Sequence, residues 1–296
     1  MPAHWLGFIG LIAALLLVDL FVLQRGGRGA SPRAAWLWTA FLALLACGFG
    51  WWTGAASGRR HGVEFIAGYV IEFSLSIDNL FVFLLLFRSL RLDARQQHRV
   101  LLWGVLGAIV LRGGLILAGA TLLARFAWVE YLLGAILAAT ALRLLLHRPG
   151  ASPRRRPVAW IETCCLRYAG GTRLALASLL LLIAAVELTD LLFALDSVPA
   201  VLAVTRDPWI AFTSNIFAVL GLRSLYFAVA GMLDRFRHLH YALACILAFV
   251  AFKMLAGRWI AISAGASLAA ILGILALFAA LSGALPDAGP ASTRPS

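Results

Sequence analysis

Long apolar runs dominate the chain, and short polar stretches separate them. Runs of about 20 apolar residues are long enough for a helix to cross the hydrocarbon core of a bilayer. The pattern predicts an all-α fold, a polytopic transmembrane helical bundle of about nine spans. The expected spans are 4–23, 34–53, 63–87, 99–123, 126–146, 174–205, 209–231, 240–256 and 258–282.

Composition agrees with this class of protein. Hydrophobic residues make up 62% of the chain and charged residues only 13%, whereas about a quarter of a soluble domain is charged. No polar stretch is long enough for a second core, so residues 1–285 are predicted to form a single transmembrane domain. Within it, the Arg- and Pro-rich segment 147–173 is predicted to be a cytoplasmic linker. Residues 286–296 have the composition of a disordered tail.

The net charge of +12 is explained by topology and not by a nucleic-acid partner. Arginines concentrate in alternate loops, and positive residues favour the cytoplasmic side of a membrane. The chain is therefore expected to be a multi-pass protein of the cell membrane, with its N-terminus outside and its C-terminus in the cytoplasm. Contact between the basic loops and anionic lipid is also expected.

Two parts of the chain resemble each other. The segment "EFSLSID" at 72–78 aligns without gaps to "DLLFALD" at 190–196, and a mid-span arginine follows each, Arg112 and Arg223. The match relates spans 3–5 to spans 6–8. An offset of three spans reverses direction, so the sequence predicts an inverted repeat. Such repeats are typical of secondary transporters, whose sites lie near the midplane where the repeats meet.

Five carboxylates fall inside predicted spans. Each charge at the bilayer centre costs roughly 2.5–3.5 kcal/mol on insertion scales, so five lipid-facing charges would cost on the order of 12–17 kcal/mol. The acids must therefore face the interior of the bundle, where the two mid-span arginines neutralise at most two of them. The acids that the arginines do not neutralise predict bound protons, a bound cation, or both. The five are Glu72, Asp78, Glu187, Asp190 and Asp196.

Helical spacing separates the acids within each repeat. Residues six apart differ by about 120° around a helix and about 9 Å along it, so the two acids of one repeat cannot chelate one ion. The preferred central site pairs Asp78 and Asp196, each beside a polar residue, Asn79 and Ser197. Glu72 and Asp190 are then expected on an entry path or proton relay. Pro199 predicts a break near residues 196–199 that would expose backbone oxygens to a cation.

All-oxygen ligation suits hard divalent ions such as Mn²⁺, Mg²⁺ or Ca²⁺, and the histidines are expected at span ends or in loops. Three polar residues of a later span, Thr213, Ser214 and Asn215, could also support the site. The hydroxyls of Thr213 and Ser214 have the structural alternative of bonding their own helix backbone, whereas a buried Asn215 amide needs other partners. Structural alternatives remain open for other residues. Arg112 and Arg223 could be clamps between helices, Glu187 a packing acid, and Asp19 and Glu64 ordinary interfacial acids.

The motifs resemble a known family. "EFSLSIDNLFVF", "FALDSVPAVLAVTRDPWIAFTSNIFAVLGLRSLYF" and the basic central loop look like the TerC family of integral membrane proteins, across residues 63–256. The resemblance implies manganese export across the cytoplasmic membrane of a bacterium, and the family name links it to tellurite resistance. It also implies functional acids at Glu72, Asp78, Asp190 and Asp196, and supporting polar residues. The supporting residues are Asn79, Thr213, Ser214 and Asn215.

The expected function is a secondary transporter that exports a divalent cation, with Mn²⁺ as the first choice, by proton antiport through midplane carboxylates. No ATP-binding or hydrolase motif is present, so no enzyme activity and no cofactor are expected, and the metal ion is the substrate. The alternative is a membrane-embedded partner for the insertion or metallation of exported proteins. Whether the protein forms a homo-oligomer or binds a protein partner is left open by the sequence.

Overall fold

The structure is a computed structural model, and it describes most of the apolar segments. The described residues are 2–24, 32–89, 92, 94–146, 174–229, 239–257, 259–260 and 262–284. Within these ranges some side chains also lie outside the description, and those of Asp78 and Asn79 are among them. The linker prediction for 147–173 and the tail prediction for 286–296 both fall outside the described residues.

The described residues form nine α-helices, and no strand occurs among them. The helices are α1 (Pro2–Gln24), α2 (Pro32–Ser57), α3 (Arg59–Ser89), α4 (Ala94–Arg125), α5 (Trp128–Leu146), α6 (Leu174–Leu202), α7 (Pro208–Val229), α8 (Leu239–Ala256) and α9 (Ala264–Ala284). The all-α prediction is confirmed. The connection between the last two helices is longer than the short turn expected near Gly257, since α9 begins only at Ala264.

Local sequence signals explain two of the helix ends. Gly58 separates α2 from α3 with a φ of +106°, a conformation that residues other than glycine rarely adopt. Asp207 caps α7, because its Oδ1 accepts the backbone N–H of Trp209 at 2.9 Å. Pro208 takes the first helical position, where its missing N–H removes no helical hydrogen bond.

Pro199 does not interrupt α6. The helix is continuous from Leu174 to Leu202, so the break predicted near residues 196–199 is wrong. Proline removes only one intrahelical bond, the one to the carbonyl of Leu195. Its neighbours Ala200 and Val201 are buried, and this packing holds the helix together across the missing bond.

Four helices form the centre of the bundle. α3 packs against α7 and α4 packs against α6, while contacts between α3 and α6 and between α4 and α7 close the group. α5 and α8 form a pair that contacts α6 and α9. α2 covers α3 and α7, and α1 lies outside α2 and α7.

Contacts at the two ends of the bundle show that successive helices reverse direction. At one end, Thr205, just past α6, donates to Glu64 in the first turns of α3. At the other end, Asp19 near the end of α1 bonds Arg223 near the end of α7. Arg223 also contacts His98 in the first turns of α4. Odd-numbered helices therefore begin, and even-numbered helices end, on the same side.

Within the described ranges, five helices are long and apolar enough to cross a membrane, and the outer surface suits lipid. By length and composition the five segments are Arg33–Ser57, Gln96–Arg125, Trp128–Leu146, Pro208–Ala228 and Ala264–Leu281, with two shorter apolar helices at Trp5–Phe21 and Tyr241–Ala256. The remaining long helices, α3 and α6, carry the predicted intramembrane acids. Large apolar side chains such as Leu37, Leu44 and Val110 point outward, as expected for an integral membrane protein.

The buried face of α1 ends in a carboxylate. Phe8, Ile12 and Leu15 follow one another at helical spacing and are buried against the bundle. The ring of Phe8 lies 5.4 Å from that of Trp209 on α7. Asp19 continues the same face of the helix and is also buried.

Candidate functional site

Two acids, an arginine and an amide meet at the centre of the four-helix group. Glu72 lies on α3, Arg112 on α4, Asp190 on α6 and Asn215 on α7. All four side chains are buried, three of them completely. Each central helix thus contributes one residue, and we call these four residues the central cluster.

Arg112 bonds both acids of the central cluster. Its Nε donates to Asp190 Oδ2 at 3.0 Å and its Nη2 to Asp190 Oδ1 at 2.8 Å, a bidentate geometry. Its Nη1 donates to Glu72 Oε1. Asn215 Nδ2 donates to the other Glu72 oxygen at 2.8 Å, and Ser76 Oγ donates to Oε1 at 3.1 Å. Both carboxylates are therefore held in place by directed hydrogen bonds.

The charges of the central cluster do not balance. Two carboxylates face one guanidinium, so one negative charge is left over in this buried region if both acids are ionised. A buried ion is tolerated only when partners offset its loss of hydration. The central cluster is therefore a place where a proton or a further cation would be stabilised.

A third carboxylate lies next to the central cluster. Glu187 precedes Asp190 by one turn of α6, and among the described residues neither of its buried carboxylate oxygens has a hydrogen-bond donor. It lies against Gly107 of α4, where a Cβ would overlap the carboxylate. The missing side chain at Gly107 makes room for this acid. Burial without a donor is costly for a charged group, so Glu187 adds to the demand for a proton or cation.

We expect Gly107→Ala to destabilise the packing of α4 against α6. The added methyl would take the space of the Glu187 carboxylate, and overpacking of this kind costs about 1–3 kcal/mol. Unfolding in detergent measures the loss. Gly114→Ala is the matched control on the same helix, because a Cβ there meets no atom within 4 Å. An equal effect of the two substitutions would contradict the expectation.

The structure brings together some of the residues predicted from sequence and separates others. Glu72, Asp190, Arg112 and Asn215 form the central cluster, but Asp196 accepts a hydrogen bond from Thr140 of α5 at 3.0 Å. The hydroxyl of Ser197 is buried and has no partner among the described side chains. The side chains of Asp78 and Asn79 lie outside the described residues. The preferred pairing of Asp78 with Asp196 therefore stays a prediction.

The hydroxyls of Thr213 and Ser214 on α7 bond the backbone of their own helix, which is the structural alternative to a role in the site. Thr213 donates to the carbonyl of Trp209 at 2.8 Å, and Ser214 to that of Ala211 at 3.2 Å. Across the residues that the structure describes, no three His, Cys, Asp or Glu side chains lie close enough together to hold a metal ion. A metal site in this part of the chain would thus combine carboxylates with amide, hydroxyl or backbone oxygens.

Arg223 forms a second buried cluster, nearer one end of the bundle. Its Nη1 donates to Asp19 Oδ2 at 2.7 Å, and its Nη2 lies 3.4 Å from His98 Nδ1. We call Asp19, His98 and Arg223 the Arg223 cluster. All three are buried. His98 lies in the first turns of α4, as expected for a histidine at a span end, whereas the burial of Asp19 was not expected from its place near the end of α1. The helical spacing of Phe8, Ile12, Leu15 and Asp19 is the signal that could have revealed it.

A small cavity joins the surroundings of the two clusters. It has a volume of about 20 Å³, and Asp190 and Arg223 are the charged residues in its otherwise largely apolar wall. This is room for about one water molecule. We call it the connecting cavity.

A larger cavity opens at the opposite end of the bundle. It has a volume of about 900 Å³ and is lined by more basic than acidic side chains. Two ion pairs lie in its wall, Arg60–Glu64 and Arg206–Glu130, both at 2.7 Å. We call it the end cavity. Its charged lining residues are Arg59, Arg60, Glu64, Glu130, Arg206 and Lys253.

Known proteins resemble the chain over nearly its whole length. A sequence profile of the TerC family of integral membrane proteins matches residues 57–288. The chain belongs to the TerC family. An uncharacterized membrane protein of Myxococcus xanthus is 42% identical over 290 residues, covering 93% of this chain and 90% of that protein. No solved structure matches the chain.

One of the further relatives carries a functional name and another does not. A protein of Escherichia coli K12 named Alx, described as a proposed membrane-bound redox modulator, is 39% identical over 299 residues, which is 93% of this chain and 92% of that protein. An uncharacterized membrane protein of Rickettsia felis is 33% identical over 283 residues, 92% of this chain and 94% of that protein. The TerC profile begins at the end of α2, so Asp19 lies before it.

Proposed function

We propose that this TerC protein is a secondary transporter that exports a divalent metal cation, with Mn²⁺ as the substrate, across the cytoplasmic membrane of a bacterium in exchange for protons. The observation that carries the proposal is the central cluster. Carboxylates buried in a membrane bundle mark ion and proton pathways. Here two such acids surround one arginine and leave a negative charge unmatched.

An inverted repeat accounts for the composition of the central cluster. If α3, α4 and α5 correspond to α6, α7 and α8, the α3–α7 and α4–α6 contacts are equivalent to each other, and the α5–α8 contact maps onto itself. These contacts are among the main ones of the bundle. Glu72 and Asp190 occupy matching positions of the two halves and bind the same arginine. This supports a site at the repeat interface, as in other transporters.

The helix ends that meet at each end of the bundle are those expected if the nine helices cross the membrane in alternating directions. The end cavity gathers the beginnings of α3, α5 and α9 with the ends of α6 and α8. The Arg223 cluster gathers the ends of α1 and α7 with the beginning of α4. With the N-terminus outside, as the loop arginines predict, the end cavity opens outside and the Arg223 cluster lies towards the cytoplasm.

The charge of the end cavity favours release of a cation over its capture. Four basic side chains and two acids line it. Two of the basic residues, Arg60 and Arg206, are paired with those acids. The positive surplus disfavours the approach of cations from that side. In the proposed orientation, this supports outward movement of the metal ion.

The described donors around the central cluster are oxygen atoms of carboxylate, amide and hydroxyl groups. Such donors suit hard divalent ions better than soft ones. The TerC resemblance implies Mn²⁺ among them. The same resemblance leaves Asp78, Asn79 and Asp196 as proposed ligands, together with Glu72 and Asp190, and the internal sequence match adds Ser197.

Reconstituted transport tests the proposal. In proteoliposomes, the purified protein is expected to move Mn²⁺ faster than Mg²⁺, Ca²⁺ or Zn²⁺, and the rate should change between two pH values. Asp78→Asn and Asp196→Asn should each lower the rate, because each removes a charge from a proposed ligand. Unchanged Mn²⁺ flux in both variants would reject these two residues as ligands, and a wild-type protein that moves no cation would reject transport itself.

Asp207→Asn provides the matched control for these variants. It makes the same chemical change, but at a helix cap. Asparagine caps helices about as well as aspartate. The Mn²⁺ flux of this variant should therefore equal that of the wild type.

A second candidate function comes from the Alx relatives, which are named as proposed redox modulators. On this alternative the protein is a membrane-embedded partner that supports the insertion or metallation of exported proteins. Cys47 and Cys245, the cysteines within the described residues, are free thiols. Mn²⁺ flux through the purified protein alone would favour transport over this function.

A further inference from the structure

The Arg223 cluster holds three buried polar atoms that have no partner within the part of the chain that the structure describes. They are Asp19 Oδ1, His98 Nε2 and Arg223 Nε. Only one Asp19 oxygen is bonded, to Arg223 Nη1 at 2.7 Å. The indole of Trp38 on α2 is close enough to interact with this carboxylate, although neither the second Asp19 oxygen nor the indole N–H has a described partner in full hydrogen-bond geometry. Asp19 therefore has an open position for a proton in a well-buried site.

Arg223 links this carboxylate to the surroundings of the central cluster. Arg223 is bonded to Asp19, and it also lines the connecting cavity together with Asp190. The cavity has room for about one water, so little solvent separates Arg223 from the central cluster. Charges across such a space interact more strongly than they do in bulk water.

The protonation state of Asp19 therefore changes the charge next to Asp190. With Asp19 ionised, its charge offsets that of Arg223. When a proton binds the free Asp19 oxygen, Arg223 keeps its positive charge and loses its counter-charge. That positive charge disfavours a cation in the central cluster, and by linkage a cation there disfavours the proton.

We propose that Asp19 is the proton-binding residue that couples proton movement to cation transport, acting through Arg223 on the central cluster. The inference rests on the proposed transport function and adds to it a residue outside the stretch that the family profile matches. The step is a protonation: the carboxylate takes one proton on its free oxygen and releases it when a cation occupies the central cluster.

The charged and titratable neighbours of Asp19 are few among the described residues. Arg223 on α7 faces it directly, and His98 on α4 lies behind Arg223 and stacks on Phe227 with ring centroids 4.0 Å apart. The neighbouring side chain from α2, Trp38, is uncharged. Arg223 is therefore the group through which a charge change at Asp19 reaches Asp190.

Asp19→Asn separates proton coupling from cation movement. In proteoliposomes, Mn²⁺ uptake driven by a pH gradient should fall by about tenfold, within the range typical of linked sites. Exchange of Mn²⁺ for Mn²⁺ at equal pH on both sides should persist at saturating Mn²⁺, since it needs no net proton movement, but with a weaker apparent affinity, because Arg223 then lacks its counter-charge. Asp19→Glu, which restores a carboxylate, should recover gradient-driven uptake.

The outcomes distinguish this inference from the proposed function. A wild-type protein without Mn²⁺ exchange overturns both. If a pH gradient drives Mn²⁺ uptake in the Asp19→Asn variant as fast as in the wild type, only the role of Asp19 is overturned. If the variant loses exchange as well, the Asp19→Asn/Arg223→Gln double variant decides. Exchange without gradient-driven uptake in the double variant supports the inference, and any other result overturns it.

Discussion

Replacing Arg112 with glutamine is expected to destabilise the protein far more than replacing an arginine at its surface. The change leaves Glu72 and Asp190 buried side by side with no counter-charge. Breaking a buried ion pair by removing one partner typically costs about 3–5 kcal/mol, because the remaining charge is uncompensated. Glutamine can still donate a hydrogen bond, so the loss reports chiefly on charge. Reversible unfolding in detergent measures it.

A second substitution tests the electrostatic origin of this loss. Adding Glu72→Gln to Arg112→Gln removes one of the two stranded acids and should restore part of the lost stability. Arg206→Gln is the control, because Arg206 forms an ion pair while its side chain is 65% exposed. Exposed pairs contribute about 0–1 kcal/mol. If the two single substitutions had equal effects, Arg112 would not be a buried counter-charge.

The helices were predictable because lipid imposes a simple rule on the sequence. Every backbone polar group must be satisfied within the segment, so a long apolar run has to be a helix. Each of the nine apolar runs corresponds to one observed helix. The error at Pro199 has a local origin. One lost hydrogen bond near the end of a packed helix is not enough to unwind it.

The members of the central cluster were predictable, but their arrangement was not. The acids, the arginine and the amide stand out in the sequence because polar groups in apolar runs are expensive. Which acids meet depends on how each helix is rotated about its own axis. A span that is apolar on nearly all sides carries little sequence signal for this rotation. Glu72 and Asp190, expected on an access path, meet at Arg112 instead.

The burial of Asp19 is hidden in the sequence because the residue stands close to the end of α1. Position along a span suggests contact with the interface, but burial depends on which face of the helix a residue occupies. Asp19 shares its face with Phe8, Ile12 and Leu15, which are all buried. An apolar stripe that ends in an acid indicates a buried partner, here Arg223.

The two repeat-related arginines have acquired different partners. Arg112 binds an acid from each half, whereas Arg223, at the matching position, binds Asp19 from outside the repeat. A pair that is symmetric in sequence is thus asymmetric in charge. One arginine faces two carboxylates, and the other forms a pair that is neutral when Asp19 is ionised. In the proposed mechanism, the first cluster is the cation site and the second binds the proton.

Asp190→Asn is expected to lower Mn²⁺ affinity and flux strongly. The substitution removes the unmatched negative charge of the central cluster, because Arg112 is then balanced by Glu72 alone. Removing one member of a buried charge pair changes binding by about 2–5 kcal/mol, which corresponds to roughly 30-fold or more in affinity. Initial rates of Mn²⁺ uptake over a range of concentrations measure the effect.

Glu72→Gln should have a similar effect, because Glu72 and Asp190 occupy matching positions and bind the same arginine. Asp207→Asn again serves as the matched control, since its carboxylate caps a helix away from the central cluster. Unfolding midpoints of all three variants would separate lost binding from lost folding. If the Asp190→Asn and Glu72→Gln proteins remained folded and kept Mn²⁺ rates within about twofold of the wild type, a difference of well under 1 kcal/mol, the central cluster would not be the cation pathway. A strong loss in only one of them would assign the ion to one half of the bundle.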